Sequence, residues 1–127
     1  MPKNAEPNVT RVASIAEIEA LPTDTDSVLV ARLDDEKIAA LRRLNALRIL
    51  YHDGSSGVTN VGLSHLVAFP TLEALDLRRS ADITDQGLQE LQLLGSLGWL
   101  DLTGCRQLSE RAVQELRRAL PECEVVN

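Results

Sequence analysis

The chain repeats itself with a period too short for a freestanding domain, and that constrains its fold more than any other feature. "LRILYHDGSSGVTNVGLSHLVAFPT" (47–71), "LEALDLRRSADITDQGLQELQLLGS" (72–96) and "LGWLDLTGCRQLSERAVQELRRALPE" (97–122) share one apolar frame. Leu47, Leu72 and Leu97 recur every 25 residues, as do Leu50, Leu75 and Leu100. Val58, Ile83 and Leu108 follow the same spacing, then Thr59, Thr84 and Ser109. Leu63, Leu88 and Val113 come next, then Leu66, Leu91 and Leu116. Half a unit, "LDDEKIAALRRLNAL" (33–47), precedes the three, and "CEVVN" (123–127) starts another. A fixed period in this range is the signature of a solenoid, whose stacked units bury one continuous core.

Each unit carries two periodicities. In L-x-x-L-x-L the two inner leucines are two apart and share one face of a strand. Leu88 and Leu91 are three apart, at helical spacing. Between them Thr84 stands where its hydroxyl can cap a helix, and Asp85 follows in the first turn, where the helix dipole favours a negative charge. A strand and a helix in about 25 residues leave only tight connections, so each strand lies parallel to the one before. The expected class is α/β, a parallel sheet backed by a row of helices.

This pattern resembles the leucine-rich repeats, in particular the cysteine-containing subtype LxxLxLxxC…ITDxGLxxL familiar from F-box proteins. "LGWLDLTGCRQLSERAV" carries the cysteine, Cys105, and the earlier units carry Ser55 and Ser80 in its place. The resemblance implies a short right-handed βα solenoid with a curved sheet on the concave face and helices on the convex one. It also implies a protein-binding role. No F-box is recognisable, so a ubiquitin-ligase role does not transfer.

Upstream, "SIAEIEALP" (14–22) reads as a short helix, with Ser14 and Glu17 at capping-box spacing. "VLVARL" (28–33) reads as the first strand. Residues 12–33 are thus expected to cap the core, 34–127 to form the repeats, and 1–11 to be a disordered tail with little to bury.

The composition excludes several function classes. No run approaches the roughly 18 apolar residues of a membrane span. The N-terminus lacks the apolar stretch of a secretory signal, which points to the cytoplasm. A net charge of −6 argues against nucleic acid and against anionic membranes. The two cysteines, Cys105 and Cys123, make no disulfide framework, and no metal-ligand spacing occurs; neither metal nor cofactor is expected.

"YHDGSSG" (51–57) gathers His, Asp and Ser, but His52 occupies the slot of Leu77 and Leu102 and should point into the core. The expectation is a neutral histidine with one hydrogen bond to backbone, not a catalytic base. His65 is expected in solvent, and both cysteines inside. The Arg pairs at 42–43 and 117–118 fit solvated helix faces.

What remains is the sheet face turned away from the core. It collects Ile49, Tyr51 and Asp53, then Ala74, Asp76 and Arg78, then Trp99, Asp101 and Thr103. The chain's single Trp and single Tyr both fall here, and Trp, Tyr and Arg are the residues enriched at interface hot spots. The expected function is a noncatalytic protein–protein interaction module. Its partner-binding residues are Ile49, Tyr51, Asp53, Asp76, Arg78, Trp99, Asp101 and Thr103. The partner is another protein presenting a basic protrusion to the aspartates. The alternatives are a structural subunit associating through the strand at "CEVVN", giving a monomer or weak homodimer, and a small immunity-type inhibitor.

Overall fold

A computed structural model describes residues 8–127, and in it strands and helices alternate along the chain. The strands are β1 (Thr10–Val12), β2 (Ser27–Ala31), β3 (Ile49–Asp53), β4 (Ala74–Asp76), β5 (Trp99–Asp101) and β6 (Glu124–Val126). The helices are α1 (Ile15–Glu19), α2 (Asp35–Leu41), α3 (Asn60–Leu66), α4 (Asp85–Glu90) and α5 (Glu110–Ala119). A 3-10 turn, Leu91–Leu93, extends α4. The six strands form one sheet in sequence order, every neighbouring pair parallel. Register follows the repeat: Val28 pairs with Leu50, Leu50 with Leu75, Leu75 with Leu100 and Leu100 with Val125. Among the described residues no helix is long and apolar enough to cross a membrane.

The inward strand residues Leu50, Leu75, Leu77, Leu100 and Leu102 meet Ile38, Leu63, Leu66, Leu88, Val113 and Leu116 of the helices in one continuous cluster. Period-2 and period-3 spacing thus converge on the same interior. The expected cap differs in one respect. The first strand is Thr10–Val12, not 28–33, and it adds an edge strand beside β2 through Thr10↔Val28. Thr10 and Arg11 therefore lie in the sheet and Val9 packs against its outer face, whereas residues 1–7 of the anticipated tail lie outside the described residues. A three-residue strand is too short for alternation to reveal it. Helix α1 has the anticipated capping box, with Ser14 Oγ accepting from Glu17 N and the Glu17 carboxylate accepting from Ser14 N.

A second ladder links the helix starts. Asp35 accepts from the Thr59 amide and hydroxyl at 2.8 and 2.6 Å. Asp85 accepts from the Ser109 amide and hydroxyl at 2.8 and 2.7 Å. Between them Asn60 accepts from Thr84 N at 3.0 Å and donates to the Thr84 hydroxyl at 2.8 Å. The Thr84 hydroxyl is therefore turned to Asn60 and does not cap its own helix as the sequence suggested. A Cβ on Gly62 would collide with Asp35 Oδ1, and one on Gly87 with Asn60 Oδ1. Alanine normally improves a helix interior. Gly87→Ala is expected to do the reverse, lowering stability by about 1–2 kcal/mol in urea unfolding. Ala112 occupies the equivalent slot beside Asp85, so the loss is bounded by how far the helices can part.

The two bonds from Ser109 hold the Asp85 carboxyl below its usual range. A depressed folded value contributes stability that is present above the unfolded value and lost as pH falls through the folded one. Asp85→Asn imitates Asn60. It should lower Tm slightly at pH 7, where the charge contributes, and flatten its fall below about pH 4, the ordinary aspartate range. A Tm-against-pH series on both proteins checks this.

Candidate partner-binding face

The helices bury their side chains against one face of the sheet. On the other face Ile49, Tyr51, Ala74 and Trp99 form a separate apolar cluster, flanked by Val9, Leu29 and Val126. The alternation of each strand puts them there: Ile49 and Tyr51 flank Leu50, and Trp99 and Asp101 flank Leu100. Ile49 pairs with Ala74 and Ala74 with Trp99, so three strands contribute to one row. The small Ala74 side chain leaves room for the rings beside it. Tyr51 and Trp99 meet edge to face, with centroids 6.0 Å apart and planes at 84°, a favoured arrangement for aromatic pairs.

All eight anticipated residues lie on or beside this face, but not as free surface. Asp53 and Thr103 are exposed and Arg78 is half-buried. The other five are buried: Trp99 is 4% exposed, Tyr51 5% and Asp76 0%, with Ile49 and Asp101 equally enclosed. Adjacent strands stand about 4.8 Å apart, close enough for large side chains to shield one another. Trp99→Ala is therefore expected to lower stability as well as binding, since removing a buried Trp side chain costs about 3–5 kcal/mol. The Trp99 indole N–H is enclosed with no acceptor among the described residues. Such a donor is uncommon in a folded chain.

The two acidic residues are partnered from within. Arg78 donates Nε to Asp76 Oδ1 at 3.0 Å and Nη2 to Oδ2 at 2.9 Å, and its backbone amide also donates to Oδ1 at 3.0 Å. This pairing pushes the Arg78 guanidinium above its ordinary value. Asp101 Oδ1 accepts from the Thr103 amide and hydroxyl at 2.9 and 2.6 Å, while Oδ2 stands 3.9 Å from Arg78 Nε. Two such charges on neighbouring strands call for a cation between them, and the chain's own Arg78 supplies it. Between Asp76 and Asp101 the remaining open carboxylate oxygen is Asp101 Oδ2. Asp53 pairs with Arg11 at 3.2 Å, an exposed contact of small energetic weight.

His52 sits inside, 2% exposed, as its leucine slot implied. Its Nε2 is 3.0 Å from the Arg78 carbonyl, an acceptor, so Nε2 carries the proton. Nδ1 is buried without a partner among the described residues. Nε2 is also 3.6 Å from Asp76 Oδ1. His65 is half-buried, with Nδ1 3.4 Å from Arg42 Nη1. Among the described residues no group of three or more His, Cys, Asp or Glu could hold a metal ion.

Cys105 is buried, and its Sγ donates to the Leu77 carbonyl at 3.1 Å. In the preceding unit Ser80 is fully buried and shares a 2.6 Å hydrogen bond with Ser56. The sequence alignment had pointed to Ser55, but the turn at Gly54 (φ 75) carries Ser55 into solvent and brings Ser56 inward. Cys123 is half-buried against the core. Burial raises both thiols, Cys123 to about 11. Neither should react readily with Ellman's reagent at pH 8 until denaturant is added; fast native labelling of Cys105 would place it outside the core.

No protein-family model matches the sequence, and no curated protein matches it.

Proposed function

We propose that the chain is a short leucine-rich repeat protein of the cysteine-containing subtype and binds another protein through its concave sheet face. The observation that carries this reading is the second apolar cluster. The helices cover one side of the sheet, yet the other side holds the only Trp and Tyr of the chain, packed edge to face. A sheet turned to solvent on one side is ordinarily polar there. With Asp76 closed by Arg78, the partner's basic group is directed to Asp53 and to Asp101 Oδ2. The role is noncatalytic and uses no cofactor.

A photo-cross-linking residue tests this in the native host. At Thr103, exposed on the sheet side, it should yield one adduct of discrete mass. At Gln114, exposed on α5, it should not. An adduct from Gln114 alone, or none from either, would reject the reading. A second reading is favoured by β6, which pairs on one side only among the described residues and so offers a strand edge. Self-assembly through that edge would instead give an adduct of twice the monomer mass and a concentration-dependent dimer in sedimentation.

A further inference from the structure

Four residues take a left-handed backbone where strands turn into loops: Arg32 (φ 56), Gly54 (φ 75), Arg79 (φ 58) and Gly104 (φ 81). They form a row along one end of the sheet. The Arg32 amide donates to the Asp53 carbonyl at 2.9 Å, and the Arg79 amide to the Thr103 carbonyl at 2.8 Å. Each arginine is thus aligned with the glycine of the next strand. Glycine makes this bend without strain, whereas a long side chain makes it at a cost. The fold itself shows that glycine serves here, since it does so at two of the four positions. Each arginine stem lies over its neighbouring glycine: a Cβ on Gly54 would stand 3.6 Å from Arg32 Cγ, and one on Gly104 would stand 3.0 Å from Arg79 Cγ.

Among the described residues neither guanidinium has a partner. Arg43 and Arg117 bond to backbone carbonyls, and Arg11, Arg48 and Arg78 pair with carboxylates. Arg32 and Arg79 are exposed and make no such contact with the described residues. A third cation joins them, since Lys37 Nζ donates to the Ala31 and Arg32 carbonyls at 3.1 and 3.0 Å. Of the carboxylates near in sequence, Asp34 is committed to the start of α2 and Asp53 to Arg11, while Glu36 and Asp82 are exposed.

Strained arginines that the fold does not need point to an external ligand. We propose that Arg32 and Arg79 form a two-point clamp for an acidic, extended segment of a partner protein running across the strand ends. Guanidinium groups take carboxylates bidentately. The two residues are two strand spacings apart, about 10 Å, which matches carboxylates three residues apart on a polyproline II segment, where one three-residue turn keeps both on one side about 9 Å apart. The clamp is independent of the aromatic face, so either can fail alone.

The probe is a synthetic peptide with two glutamates three residues apart, and its diglutamine counterpart is the control. In an NMR titration the Arg32 and Arg79 Nε–Hε signals should shift with the first peptide and not with the second. Arg32→Gly and Arg79→Gly should each weaken binding about five-fold, the size of one exposed ion pair, with Tm unchanged or raised. A fall in Tm of more than a few degrees would make the arginines structural and overturn the clamp. Equal binding of the two peptides, or undiminished binding by the glycine variants, would overturn it as well.

Discussion

Leu77→Ala is expected to lower stability by about 3–5 kcal/mol, the upper part of the range for a buried leucine. Leu77 is fully buried, follows β4, and lies in the row of inward residues that includes His52 and Leu102. Its amide donates to the Asp101 carbonyl at 3.0 Å, and its carbonyl accepts from Cys105. Both ends of the residue are fixed, so the backbone cannot collapse into the space left by the side chain. Domains of this size have about 5–15 kcal/mol in all, so the variant should unfold at much lower urea. Leu93 is 71% exposed, and Leu93→Ala should melt like the parent. Equal midpoints for the two variants would show that the register of the repeat is misassigned.

Asp76→Ala is expected to cost about 2–3 kcal/mol. Breaking a buried pair by removing one partner costs about 3–5 kcal/mol when the other is left enclosed. Here Arg78 keeps 37% of its side chain in solvent, so it can turn to water and recover part of the loss. Asp76→Asn preserves volume and one acceptor, and should fall between the parent and the alanine variant. Urea unfolding ranks the three. An alanine variant as stable as the parent would mean that the pair only offsets its own desolvation.

How much of this could be seen in the sequence follows from what periodicity encodes. Leucine spacing assigns each strand residue to a face, so the parallel order, the inward position of His52 and the outward position of Trp99 were all legible. Spacing does not say how wet the outward face is. Tyr51 and Trp99 are shielded by residues distant in sequence, and that depends on ring size and on the gap left by Ala74. The same limit applies to Asp76. Alternation puts Arg78 on the same face as the two aspartates, but that its guanidinium folds back to pair bidentately with Asp76 is a choice of rotamer that no alternation reveals. Ser56 displaces Ser55 through one left-handed glycine. The hydroxyl of Thr84 goes to Asn60 because the clasp between successive helix starts competes with the cap. β1 escaped notice because three residues carry no period.

The sequential order of the sheet also determines how the molecule would yield to force. Strands β1 and β6 are its two edges, so a pull on residues near both ends acts along the stacking axis and loads one interstrand seam after another in tension. No clamp of many bonds is sheared at once. Under an optical trap the array should come apart at low force in steps, each freeing one unit of 25 residues, or about 85 Å of contour.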